Sequence, residues 1–403
     1  VSRAAPARWL RRARRCYLEC GDRPWIDLAA LLRGELLPGS AAMVRAYLPP
    51  DAKPIDIDAD EARVIALCPQ HEWVETKTLQ APHAAVARLL ELGVLRGSDE
   101  ARPEREDGVG SDAHAEWFGP ATLYHYASRW HGVEARPDLP GDAIAAQTAY
   151  SQSAEAFAAD AQARGPVPTH RHSRGDDARA IELPNPPASG FDALLKQRET
   201  HRLFDPARPL ALAALASLLH RSFATQAEAP MGGGLTAQRK NAPSGGGLHP
   251  VEAYVLASNV DGLEAGWYHY RSHQHRLAPM EPMAKAEAGP RIVARTAGQA
   301  YFRDAAALVA LTLRFPRHHW KYPRHAKAYR VMLLDAGHVG QLFALAATEA
   351  GLGAFLTAAI NEADIDADLG LDGIEEGVVA VLGCGHPASD GGVLRLSSYV
   401  VTG

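Results

Sequence analysis

Two stretches carry residue types whose spacing could support chemistry. The first is Arg198-Glu-Thr200-His-Arg202. Two guanidinium groups and a hydroxyl this close together can hold a phosphate monoester by charge-assisted hydrogen bonds. An exposed helix with outward arginines is the other reading of the same residues. The second stretch runs from Lys240 to Tyr254, KNAPSGGGLHPVEAY. Gly245, Gly246 and Gly247 in a row cost chain entropy. A folded protein keeps such a run where its backbone approaches something closely or takes positive φ. The N–H groups can then donate to a phosphate or an electron-rich ring. A flexible linker is the alternative for an arbitrary glycine run. Pro243 and Pro250 stiffen both flanks, and an apolar strand-like run follows at once, so a fixed loop is the better reading.

The chain has 403 residues, 47% hydrophobic and 22% charged, which predicts two or three ordinary globular domains. A net charge of −5 argues against nucleic-acid binding through bulk charge. No apolar run reads as long enough to span a bilayer. Seven arginines fall in the first 23 residues, without the apolar core of a signal peptide, so a cytoplasmic location and no membrane partner are expected. Four cysteines, Cys16, Cys20, Cys68 and Cys384, are too sparse for a disulfide framework and match no zinc module. His170 and His172 lack a third ligand, so no metal is expected.

Three regions are expected, at 1–100, 101–190 and 191–403. In the first, Asp58 to Glu61 reads as a capping cluster before Val64, Ile65 and Leu67, placed on one helix face. A second helix runs from His83 to Leu92 and stops at Gly93. A short strand follows at Val94-Leu95. This is a winged-helix pattern, and its alanine-rich second helix is poor in base-reading residues. A peptide added to the wing edge is the favoured use over a packing role or DNA. The second region is a connector and proline-rich linker, with an aromatic patch around Trp117 to Tyr126 and an alanine-rich helix expected from Tyr150 to Arg164. The patch reads as a docking surface between domains ahead of a substrate wall. In the third, Leu210, Leu212, Leu215, Leu218 and Leu219 fit a helix, Glu252–Ala257, Trp267–Arg271 and His275–Met280 fit strands, and Ala305–Phe315 fits a strand buried on both faces. Gly232 to Gly234 is expected to form a mobile lip or a disordered loop. Leu333–Ala350 reads as a long core helix, in which His338 faces either the site or the core, and Val378–Leu382 as the closing strand.

The segment PSGGGLHPVEAY resembles the flavin-binding loop of nitroreductase-fold proteins, in the SagB/McbC-type dehydrogenase branch. The resemblance covers roughly residues 190–403. It implies an α+β fold: a nitroreductase-like FMN domain, a mixed sheet flanked by helices, preceded by a small winged-helix-like domain. Arg198, Thr200 and Arg202 would hold the FMN phosphate, and Pro243, Ser244, Gly245, Gly246, Gly247 and Leu248 the flavin. Gly351, Leu352 and Gly353 resemble the turn whose amide lies near the flavin ring. Lys321-Tyr322 matches the Lys-Tyr pair of azoline dehydrogenases. That reaction removes a proton from the ring carbon that was Cα and passes a hydride to flavin, so Lys321 is implied as base and Tyr322 as relay or orienter. Two positions depart from the branch: Asp335, where Glu is more usual, and His386, where Arg is. Arg395 is the candidate replacement for that arginine. The implied partners are a ribosomal precursor peptide, leader and core, a cyclodehydratase complex, and a second copy in a homodimer. The loop by itself fits flavin/NAD(P)H-dependent reduction or desaturation of another peptide group equally. A flavin-free scaffold is the non-enzyme alternative.

Overall fold

A computed structural model describes residues 7–13, 15–26, 38–49, 51–99, 117–135, 137–149, 174–175, 179–187, 189–232 and 235–388. The chain divides into two compact units, Val1–Arg129 with Pro323–Ala326, and Trp130–Tyr322 with Lys327–Gly403. The expected helix from Tyr150 to Arg164, the His170/His172 pair and Arg395 lie outside the described residues.

The first unit is richer in strands than its sequence suggests. In chain order it holds β1 (Trp9–Arg12), β2 (Tyr17–Ile26), β3 (Pro38–Leu48), β4 (Asp51–Ile57), α1 (Ala59–Leu67), β5 (Val74–Glu75), α2 (His83–Glu91), β6 (Leu95–Ser98) and α3 (Gly119–Ala127). β5, β1 and β6 form one antiparallel sheet, and β2, β3 and β4 a second. Helix α1 starts where the capping cluster puts it. Glu61 N donates to Asp58 Oδ1 at 2.8 Å, and Asp58 N to Glu61 Oε2 at 2.9 Å, a reciprocal cap that satisfies two otherwise orphaned donors. The buried face of α1 carries Glu61, Val64 and Ile65. Leu67 is 46% exposed. It lies two residues past Ile65, about 200° round the helix, and so leaves the core face. The buried Glu61 pairs with Arg88 of α2 at 2.6 Å, which ties the two helices together. Trp117, His125 and Tyr126 of the aromatic patch are buried, and Tyr124 is exposed. Cys68 is buried, and its thiol is pushed up to about 11, which leaves it unreactive near neutral pH.

The second unit holds α4 (Gly190–Gln197), α5 (Leu212–Phe223), β7 (Ala227–Gly232), β8 (Leu235–Arg239), β9 (Val251–Ala257), β10 (Gly266–Arg271), β11 (Arg276–Pro282), α6 (Lys285–Arg295), β12 (Ala307–Arg314), α7 (Phe315–Lys321), α8 (Ala328–Glu349), β13 (Gly353–Thr357), α9 (Glu362–Leu369) and β14 (Glu376–Gly385). The main sheet has six strands in the order β11-β10-β9-β12-β14-β13. The sheet expected to be mixed is antiparallel in every ladder. Short turns join β9, β10 and β11, and such turns reverse the chain; β12 and β14 likewise return in the opposite sense. Among the described residues one parallel contact occurs, the isolated bridge Leu210↔Val260.

Strand β12 is central, and Ala307 to Leu313 are all buried, as its unbroken apolar run predicts. Ile292, Phe302 and Ile365 pack with Leu308 and Ala310 in one core cluster. Helix α8 begins five residues before the expected start, at Ala328, and packs on α5, β13 and β14. Its buried positions, including Met332, Ala336, Val339, Phe343 and Ala347, recur every three or four residues. Gly340 lets this helix sit close to the sheet, since a Cβ there would lie 2.4 Å from Leu356 Cδ1. By length and composition α8 alone among the described helices could cross a membrane. Here it is the packing helix of the sheet. In α5, Leu215, Leu218 and Leu219 are buried, whereas Leu212 is 39% exposed at the first turn. Gly232 ends β7 of a two-stranded hairpin, and Gly233 and Gly234 lie outside the described residues.

Candidate functional site

The glycine stretch folds as a fixed turn ahead of β9. Gly247 N donates to Ser244 O at 3.0 Å. Gly246 and Gly247 take φ of 66° and 67°, the left-handed region that side chains disfavour. The turn is gripped by Asp335, which is 2% exposed on α8. Ser244 Oγ donates to Asp335 Oδ2 at 2.5 Å, and Gly245 N donates to Oδ1 at 3.0 Å. His249 N in turn donates to Ser244 Oγ at 2.8 Å. A buried carboxylate with two such donors is a strong clamp. The departure at Asp335 is therefore a used residue, one the sequence flagged only as an oddity. Its partners lie 91 and 90 positions away.

Space explains the missing side chains. A Cβ on Gly245 would stand 2.1 Å from Val331 Cγ1, and one on Gly246 2.7 Å from Tyr322 Oη. A Cβ on Gly247 would meet nothing within 4 Å, so this part of the backbone faces open space that a flat ring could enter. Gly245→Ala is expected to destabilise the protein by about 1–3 kcal/mol, the usual cost of overpacking. The check is the urea midpoint, and an unchanged midpoint would contradict the tight fit.

Helix α7 delivers the second group. It follows β12 directly, with Pro316 at its first turn. Lys321 Nζ donates to Gly246 O at 3.1 Å, and Tyr322 Oη lies against Gly246. The expected pair thus sits on the glycine turn, with Lys321 exposed and Tyr322 half-buried. Arg317 Nε donates to Leu248 O at 2.6 Å. His338, on α8, donates from Nδ1 to Pro243 O at 3.2 Å. Since a carbonyl only accepts, the ring nitrogen is the donor. Its side chain is 47% exposed, so it faces the loop and not the core.

His318 of α7 is fully buried, with Nε2 3.7 Å from the Cβ position of Gly245. Burial pushes its pKa down, while Asp335 pulls it back up in part. The folded state therefore holds this ring neutral, and the unfolded chain takes up the proton first as pH falls. Stability should drop below about pH 6.5, by up to about 1.4 kcal/mol per pH unit for one such group. His249, also pushed down by burial and then by Lys240, acts in the same direction. Melting curves from pH 7.5 to 5 should be flatter for His318→Gln; an identical slope would contradict this.

The phosphate-type cluster lies elsewhere. After α4, Arg198, Thr200 and Arg202 run half-buried in extended chain. His201 N donates to Ala354 O at 2.9 Å, and Arg202 lies 5.8 Å from the Tyr301 ring. Gly351 closes α8 with φ 69°, and Leu352 N donates to Ala347 O at 2.9 Å. A Cβ on Gly353 would stand 2.8 Å from His201 Cγ. Arg198, Thr200 and Arg202 are thus grouped with Gly351, Leu352 and Gly353 at one sheet edge.

The two clusters are not brought together within one chain. The glycine turn adjoins Val251, at the start of β9. The arginine cluster adjoins Ala354, which pairs Cys384; Cys384 pairs Ala307, and Ala307 faces Ala257 at the end of β9. Val251 to Ala257 is six residue steps, or about 20 Å of strand. Two guanidinium groups with a hydroxyl suit a phosphate monoester, and a clamped turn without side chains suits a flat ring. Each donor set by itself fits one part of an FMN, the arginine cluster its phosphate and the glycine turn its ring.

Residues 195–386 match the family model described as Nitroreductase family. The trifolitoxin-processing protein TfxB of Rhizobium leguminosarum bv. trifolii is 36% identical over 143 residues, 33% of this chain and 36% of that protein. The chain thus spans about a third of that relative's length. A solved structure of the E. coli microcin synthetase McbBCD complex with truncated pro-MccB17 is similar at 18% identity and TM-score 0.48, covering 69% of this chain and 95% of the matched one. Nitroreductase A from Vibrio parahaemolyticus is similar at 18% identity and TM-score 0.35, covering 50% and 70%.

Proposed function

We propose, from the premise that residues 195–386 form a nitroreductase-family domain, that the protein is an FMN-dependent oxidoreductase of ribosomal peptide maturation that oxidises azolines to azoles. The observation that carries this reading is Lys321 Nζ held 3.1 Å from Gly246 O on the clamped glycine turn. It puts an amine and the phenol of Tyr322 beside the surface where a ring can lie. The relative named for trifolitoxin processing supports a peptide substrate.

Arg198, Thr200 and Arg202 would hold the FMN phosphate, Pro243 to Leu248 the flavin ring, and Gly351 to Gly353 its edge through backbone amides. FMN, when bound, supplies the two-electron acceptor. Lys321 takes the proton from the ring carbon that was Cα, and Tyr322 orients the azoline or passes that proton on. Because the two clusters stand about 20 Å apart along β9, a second copy of the chain is needed to complete each site, so the working form is a homodimer. Its setting would be the cytoplasm, beside the cyclodehydratase that makes the azoline.

The region 1–100 would bind the leader. β6 ends its sheet, with β1 on one side only, and an edge strand of this kind can take up an extended peptide. The region 101–190 would connect it to the flavin domain at 191–403. Incubating the purified protein with an azoline peptide and oxygen should remove two hydrogens per ring, read by mass spectrometry. A flavin-loaded protein that leaves every azoline peptide unchanged would sink this substrate class.

A further inference from the structure

A polar cavity of ≈ 160 Å³ opens where the β7–β8 hairpin, the starts of β9 and α7 and the end of β10 meet. Its walls include four basic side chains, Lys240, Arg271, Arg314 and Arg317, against the one carboxylate of Glu252. That single carboxylate is held as an anion by its neighbours, at ion-pair distance. Arg314 Nη1 is 3.6 Å from Glu252 Oε1, and His269 Nε2 is 4.0 Å from Oε2, past hydrogen-bond reach. His269 Nε2 is itself buried without a hydrogen-bond partner. Arg317 spends its Nε on Leu248 O. The cations also crowd one another. Lys240 is pushed down by burial and then by Arg317, against the pull of Glu252, and Arg317 is pushed down by burial and then by Arg314. Like charges gathered round a partly enclosed space are costly unless an anion joins them.

We propose that this cavity binds a small oxyanion, a carboxylate or a phosphate group, and that its occupancy is passed to the glycine turn. Guanidinium forks present paired donors that match both groups. A water takes about 30 Å³ of liquid, so the space holds such a group with part of its carrier. The link to the turn is short. Arg317 holds Leu248 O, and His249, another wall residue, donates from Nε2 to Gln238 O at 3.0 Å and from its backbone to Ser244 Oγ. The site is distinct from the arginine cluster assigned to FMN phosphate, which adjoins Ala354 at the far end of the strands.

The test is calorimetric titration of the purified full chain, at fixed ionic strength, with inorganic phosphate and separately with succinate, chloride serving as control. Saturable binding of one anion is expected, weakened at least tenfold by Arg314→Gln and by Arg271→Gln, with flavin content unchanged. Tighter phosphate marks a phosphate ligand, and tighter succinate a carboxylate. Hydrogen exchange at residues 244–249 should slow in the presence of the bound anion. Arg271 is exposed at the rim, so its variant keeps the test open even where Arg314→Gln fails to fold. Absence of saturable binding, equal binding by folded variants, or flavin lost with Arg271 would overturn the site. Binding without slowed exchange would overturn the link to the turn.

Discussion

Lys321→Ala is expected to lower azoline oxidation by about 10²–10⁴-fold, the usual worth of a positioned acid or base, while leaving the flavin bound. The side chain is exposed and makes one bond to the turn, Nζ to Gly246 O. The turn itself is held by Asp335 through Ser244 and Gly245, which this substitution does not touch. Lys321→Arg separates two roles. An arginine can still reach the Gly246 carbonyl, but it stays charged and cannot accept the proton. A base role predicts that both variants are slow, with yellow protein in each case. Full activity in the alanine variant would remove Lys321 from the chemistry.

The second large effect is on cofactor retention. Arg198→Ala combined with Arg202→Ala is expected to release FMN. Hydrogen bonds to charged groups are worth about 1.5–3 kcal/mol each. Losing two of them weakens binding by roughly 10²–10⁴-fold. The fold should survive, because the local backbone is anchored by His201 N to Ala354 O and the core by neighbouring Leu203 and Phe204. Flavin content after gel filtration is the readout. Retained stoichiometric FMN would place the phosphate elsewhere.

Much of the second unit was legible because its local signals agree with its burial. The run from Ala307 to Leu313 is apolar at every position but Thr312, and every residue is buried. Helix α8 shows its period, and in the first unit the cap read at Asp58 follows from a side chain that bonds the first helical turn. What escaped depends on contacts far apart in sequence. Nothing local tells that Asp335 holds Ser244 across 91 positions. Nor could spacing alone show that the arginine cluster lies beside β13, level with the end of β9 away from the glycine turn. The long β2 and β3 strands escaped too, since Gly21 and Pro24 are residue types that usually interrupt strands, yet here they lie within a paired ladder. The antiparallel sheet is a property of connections, and the periodicity of single strands does not encode it.

The most direct measurement is the visible absorption spectrum of the purified protein, followed by the mass of the chromophore released on heating. Flavin bands and the mass of FMN are expected. A colourless protein that takes up no added FMN would contradict the FMN assignment, and would leave the clamped glycine turn as a structural feature of a scaffold.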